Sequence, residues 1–133
     1  MDTDQRPGIN ENGRKPLRAL VFSASMRKDS LNTRLATLAA GVIEKHGGKA
    51  DLADMRMFDT PSFDQDRETA DGPPPGAVAL RDRILANDAF IISSPEYNGA
   101  MPGLIKNSID WVSRFRPQPF NEKHALLLSA SPS

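Results

Sequence analysis

The sequence predicts an α/β protein built on a doubly wound parallel sheet with helices on both faces. Two observations carry that expectation. Short apolar runs alternate along the chain with segments of helical periodicity, in the order βαβαβαβ. Two of those runs, at residues 17–22 and 88–94, are nearly continuous in apolar residues, the pattern of strands covered on both sides.

Taken in order, residues 1–15 are polar, carry Pro7, Gly8 and Gly13 and show no period, so a mobile tail is expected ahead of one domain over residues 16–133. Residues 17–22 follow Pro16 and form the first strand. Ser30 is placed as the N-cap of a helix whose apolar stripe is Leu31, Leu35, Leu38, Val42 and Ile43, closed by Gly47-Gly48. Residues 49–54 alternate weakly and give a second strand. Residues 55–76, with Pro61, Gly72 and three consecutive prolines, are expected to be a long irregular loop. Val78, Leu80, Ile84 and Leu85 mark a short second helix, and residues 88–94 the third strand. Pro102 is placed at the first position of a third helix carrying Leu104, Ile105, Ser108, Ile109 and Val112. A turn at residues 121–123 leads to a fourth strand over residues 124–130. Trp111, the single tryptophan, is expected in the core or at a subunit contact.

Composition narrows the function. Lys plus Arg and Asp plus Glu both number 17, so the net charge is zero, unlike a nucleic-acid or membrane-surface protein. There is no cysteine, which removes disulfides, thiolate nucleophiles and thiolate metal sites and fits a cytoplasmic setting. His46 and His124 have no ligand spacing, so no metal is expected. No run is long enough for a membrane helix, and the N-terminal residues lack the apolar centre of a signal peptide.

In an open parallel sheet, ligands bind beyond the carboxyl ends of the strands. Three segments fall there: residues 23–32, 95–101 and 129–133. The first runs from a buried strand into a helix N-terminus, where free amides and the positive end of the dipole favour phosphate. Ser23, Ser25 and Ser30 offer hydroxyls, Asn32 and Thr33 offer donors from the first turn, and Arg27 offers a planar cation. The segment has neither GxxxxGK[ST] nor GxGxxG, so it is neither a triphosphate loop nor a dinucleotide turn. Serines also cap helices and arginines also sit on surfaces, so a capped surface loop accounts for the same residues. In the second segment Pro95 and Gly99 shape a tight turn, Tyr97 offers a ring, and Asn98 tolerates unusual backbone angles. On these residues alone a structural loop with Tyr97 as a packed aromatic is the preferred reading. Glu96 is the one carboxylate there, and no side chain is assigned as catalytic. Ser129 opens the third segment.

Together these segments resemble the NADPH-dependent FMN reductase family, which includes azoreductases, quinone reductases and chromate reductases. That family carries G-S-x-R-x-x-S-x-N after its first strand; here residues 24–32 read ASMRKDSLN. It carries P-E-Y-N, then P-G, then L-K-N-x-I-D-W; here Pro95-Glu96-Tyr97-Asn98 precedes Pro102-Gly103 and residues 105–111, IKNSIDW. The resemblance spans about residues 16–132. It implies a flavodoxin-like fold of strand order 2-1-3-4-5, with the FMN phosphate on Ser25, Arg27, Ser30 and Asn32 and the isoalloxazine ring on Pro95, Glu96, Tyr97 and Asn98. It implies a cycle in which NADPH or NADH reduces the flavin and a small-molecule acceptor reoxidises it, in a homodimer or homotetramer. Two departures stand out. Ala24 replaces the family glycine, which is expected to restrict the approach of the backbone to phosphate. The chain ends at Ser133, ahead of the family's glycine-rich continuation, fifth strand and last helix, so an open sheet edge is expected. A non-catalytic binding module of the same fold, an inactive fragment of such a reductase, and a flavin-free phosphate-binding protein are the alternatives.

Overall fold

Four strands form one parallel sheet in the order β2-β1-β3-β4. The computed structural model describes residues 13–132. Most of the tail expected over residues 1–15 therefore lies outside the described residues, as does Ser133. The strands are β1 (Arg18–Ser23), β2 (Lys49–Leu52), β3 (Ala89–Ser93) and β4 (His124–Leu128), and the helices are α1 (Leu31–Lys45), α2 (Gln65–Asp71), α3 (Pro75–Leu85) and α4 (Gly103–Val112). Each strand lies within a residue of its expected start; β2 and β4 stop two residues early, where their ladders end.

The apolar run of β1 is explained by its place. It pairs with both β2 and β3, and residues 19–23 are all buried. Its alternate side chains feed two cores. Leu20 and Phe22 join Ile92 of β3, Leu80 and Ile84 of α3, and Ile105 and Val112 of α4. Ala19 and Val21 face Ala36 and Ala40 of α1. Phe22 meets Phe58 edge-on at 5.2 Å between ring centres. A buried aromatic of this kind contributes on the order of 2 kcal/mol.

The ends of α1 fall where the sequence places them. Ser30 accepts a hydrogen bond from the Thr33 amide at 3.0 Å. At the other end the Gly48 amide donates to the Ile43 carbonyl and the Gly47 amide to the Glu44 carbonyl, with Gly47 at φ 86°: a Schellman closure. The buried face differs in part from the expected one: Ile43 packs against the core between α1 and the sheet and Leu35 is half-buried, but the rest of the stripe turns outward. Asn32, Ala36 and Ala40 point inward, whereas Leu31, Leu38 and Val42 are exposed, Leu38 by 64%. Small residues let the helix lie close on the sheet. At 3.6 residues per turn the leucine row sits roughly a third of a turn away from that line. It lies on the side away from Thr33 and Thr37, which border the same cavity as Leu52 of β2.

Residues 55–76 are not irregular throughout. A 3₁₀ turn covers Met55–Phe58, its Met55 and Phe58 buried, and α2 follows with Asp64 as N-cap. No residue of α2 is buried, so no apolar period announces it. Helix α3 begins earlier than expected, with Pro75 in its first turn. Pro102 is the N-cap of α4 rather than its first helical residue. There are thus four α-helices among the described residues instead of three. The segment before α2 is held by the family-like motif of α4. Asn107 accepts from the Phe63 amide at 2.7 Å and donates to the Pro61 carbonyl at 3.0 Å, and Trp111, fully buried, donates its indole N–H to the same carbonyl at 2.8 Å.

Strand β4 pairs only with β3, and no fifth strand is present among the described residues. Leu126 and Leu127 point to opposite faces of the sheet and both are largely exposed.

Candidate flavin-binding site

The three expected segments meet at the carboxyl edge of the sheet, where they form two cavities. The first, about 330 Å³, is bounded by Ser23, Ser25, Arg27, Lys28 and Thr33 on one side and by Leu52, Asp54, Met55 and Arg56 on the other. Ser23 ends β1 on the α1 side and is 6% exposed. Its Oγ has no hydrogen-bond partner among the described residues, an orphaned donor at the back of a cavity. Ser25 is buried and its Oγ accepts from the Arg27 amide at 3.1 Å, which curls the loop. Asp29, at φ 64°, completes the reversal into α1. The Arg27 and Lys28 side chains are exposed at the rim.

Not every residue assigned to phosphate faces this cavity. The Ser30 hydroxyl caps the Thr33 amide and exchanges a hydrogen bond with Thr33 Oγ1 at 2.8 Å, so Ser30 organises the helix start. The amides of Leu31 and Asn32 have no partner among the described residues and remain available to an anion. Asn32 lines neither cavity; its side chain is turned into the protein. Ala24 does not obstruct the loop. Its amide donates to the Ser93 carbonyl at 2.8 Å and its methyl packs in the core on the α3–α4 side, away from the cavity.

The Asp54–Arg56 wall has no counterpart among the expected site residues. Arg56 donates to the Met26 carbonyl at 2.7 Å and to Asp54 at 3.3 Å, bracing the first loop from the end of β2. The signal was present: residues 53–56 also follow the carboxyl end of a parallel strand.

The second cavity, about 500 Å³, is mainly apolar. Pro95, Glu96, Met101, Ile105, Leu127 and Ser129 are among the residues around it. The turn beyond Glu96 is a two-residue reversal in which the Tyr97 amide donates to the Ala100 carbonyl and the Ala100 amide returns to Tyr97. Asn98 and Gly99 take positive φ values of 54° and 73°, the geometry for which Asn-Gly is favoured. Tyr97 is exposed and not packed in the core. Tyr97, Asn98 and Gly99 therefore stand beside the second cavity without lining it. Among the described residues, the one acid held below the usual carboxylate range, Asp51, owes this chiefly to hydrogen bonds from Arg83 and lines neither cavity.

The donors suit FMN at both ends. An unpartnered buried hydroxyl, free first-turn amides and two cations fit a phosphate dianion. The apolar surface below Pro95, with Ser129 at its edge, fits a flat heterocycle with polar margins.

A parallel sheet of this order with such a site at its carboxyl edge defines a flavodoxin-like protein. The chain belongs to the NADPH-dependent FMN reductase family, whose model matches residues 17–133. An NAD(P)H-dependent FMN reductase of Pseudomonas aeruginosa is 38% identical over 115 residues, covering 86% of this chain and 60% of the relative. A probable NADPH:quinone oxidoreductase of Oryza sativa subsp. japonica is 36% identical over 117 residues, covering 88% and 57%. Among solved structures, a flavoenzyme NAD(P)H:acceptor oxidoreductase of Paracoccus denitrificans superposes with a TM-score of 0.70 at 34% identity, over 88% of this chain and 62% of that one. The chain thus spans about three fifths of the length of these relatives.

Proposed function

We propose that the chain carries the flavin site of an FMN-dependent NAD(P)H oxidoreductase. The observation that carries the reading is the orphaned Ser23 hydroxyl at the back of a cavity ringed by Ser25, Arg27, Lys28 and Thr33. Ser23, Thr33, Arg27 and the amides of Leu31 and Asn32 would hold the phosphate, with Ser25 and Ser30 shaping the loop. Pro95, Glu96 and Ser129 would meet the ring, and the Tyr97–Asn98–Gly99 turn would cover its edge. Bound FMN would supply two-electron chemistry, taking a hydride from NADPH or NADH and passing the electrons to a small-molecule acceptor. The chain's own part is to bind, orient and partly desolvate. No protein acid or base is assigned, Glu96 included.

Assembly as a homodimer or homotetramer in the cytoplasm belongs to the same proposal. It is supported by the family resemblance and by the apolar residues exposed on α1 and β4. No helix among the described residues is long and apolar enough to cross a membrane.

Titration with FMN, followed by flavin fluorescence, tests the reading. A saturable, stoichiometric quench is expected. Arg27→Ala should weaken FMN about tenfold through loss of a charge-assisted contact and leave riboflavin, which lacks the phosphate, unchanged. Absence of FMN binding in every assembly state would overturn the proposal.

A further inference from the structure

We propose that the Asn32 side chain is a positioning group that ties the phosphate loop to the loop after β4, rather than a ligand of the phosphate; only the backbone amide of Asn32 faces the anion in the flavin reading. The proposal rests on the flavin reading for its consequence, but not for its geometry. Asn32 is 4% exposed. Its Oδ1 accepts from the Ser93 hydroxyl at 2.8 Å and from the Ala130 amide at 3.0 Å, and its Nδ2 donates to the Ala130 carbonyl at 3.3 Å. Both lone pairs of the oxygen are taken, and the Ala130 amide fixes which end of the carboxamide faces it.

Topology gives this arrangement its meaning. Strand β3 stands between β1 and β4, so no ladder bond joins the loops that leave β1 and β4. The Asn32 side chain spans the gap and takes in Ser93, at the end of β3, on the way. The first turn of α1, the end of β3 and the segment after β4 are thereby fixed to one another. These are the segments that offer the phosphate donors and the ring-facing Ser129. The oxygen has no lone pair left for another donor, the carboxamide that could donate to a phosphate lines neither cavity, and the side chain holds both halves of the site at once.

The experiment uses Asn32→Leu, similar in size and without polar atoms, and the milder Ser93→Ala. In the flavin-free chain, hydrogen exchange at the Ala130 amide is measured against that of Val21 in β1. Asn32→Leu should speed Ala130 exchange by roughly tenfold or more, the scale of losing a buried hydrogen bond, and leave Val21 unchanged. Both variants should weaken FMN and riboflavin by the same factor, and the double variant should be no weaker than Asn32→Leu, as for residues of one network. Unchanged Ala130 exchange in Asn32→Leu would overturn the tie. So would a loss of FMN affinity with riboflavin affinity intact, the mark of a direct phosphate contact, or a Ser93→Ala variant that binds both flavins normally while Asn32→Leu does not. If the unaltered chain binds neither flavin, the flavin reading fails, and the exchange measurement still decides the tie.

Discussion

Strands β2 and β4 are the two edges of the same sheet, and they are built on opposite plans. β2 reads KADL. Its Lys49 is exposed, and its Asp51 is met by Arg83 through two hydrogen bonds of 2.6 and 2.7 Å and by Asn87 at 3.2 Å. Charge at an edge discourages further pairing. β4 reads HALLL, and beyond His124 it carries no titratable side chain. Its leucines point to both faces, Leu127 with 66% of its surface open. One edge has the features of a boundary, and the other has the composition of an interior strand. A strand's burial is decided by its neighbours, and composition records the neighbours it is suited to.

The largest expected effect lies on the β2 side, in the connection that leaves that strand. Gly76, in the first turn of α3, lies against residues 58 and 59, and a Cβ there would run into the Asp59 carbonyl. Gly76→Ala should therefore cost about 3 kcal/mol as the helix is forced off the 3₁₀ turn, read from the shift of the urea midpoint. A loss below about 0.5 kcal/mol would mean that this side is as open to rearrangement as β4, and the contrast would fail.

A smaller effect separates the edges by charge. Hydrogen bonds from Arg83 hold the Asp51 carboxyl below its ordinary value of 3.8, against the opposing pull of burial. A carboxylate whose folded pKa is depressed stabilises the fold above its unfolded pKa, and that contribution is lost as pH falls through the folded value. The unaltered chain should thus lose part of its stability below about pH 4, and Asp51→Asn should flatten that part of the profile. The pair is partly exposed, so its worth at neutral pH is set at about 1 kcal/mol or less. Thermal unfolding followed between pH 3 and pH 7 checks both the sign and the window. Equal acid sensitivity in the Asp51→Asn chain would remove Asp51 from the account of the finished edge.

The fold was legible wherever burial and sequence pattern coincide. The runs that became β1 and β3 announced themselves, as did the Ser30 cap and the Gly47-Gly48 closure of α1. On α1 the expected stripe holds at Ile43 but fails at Leu31, Leu38 and Val42, because Leu and Val outweigh alanines in any apolar count, although alanines allow closer approach to a sheet. Helix α2 buries nothing and so had no signal. In the site, Ser23, Ser25, Arg27 and Thr33 fell together as expected. The Ser30 cap was legible, but residue type alone could not tell that the Asn32 side chain is spent on Ser93 and Ala130, because a carboxamide that ties loops together and one that binds an anion look alike in a sequence. Arg56 has no place among the expected residues because it reaches the cavity from a strand end that matches no motif.

The smallest change in stability should come from β4 itself. Leu127→Lys replaces a side chain that is two-thirds exposed, so little burial is lost and unfolding should shift by about 0.5 kcal/mol or less. Its effect should appear in association instead. A row of unpaired backbone groups flanked by apolar side chains is a template for pairing with another chain, and an inserted lysine is the device that natural edges use against it. Light scattering across a concentration series should therefore show self-association in the unaltered chain and much less in Leu127→Lys. The matching change on the other edge, Leu52→Lys in β2, should leave association where it was, because that edge already carries its charges. If the two substitutions reduced association equally, the difference between the edges would lie in overall charge and not in the plan of β4.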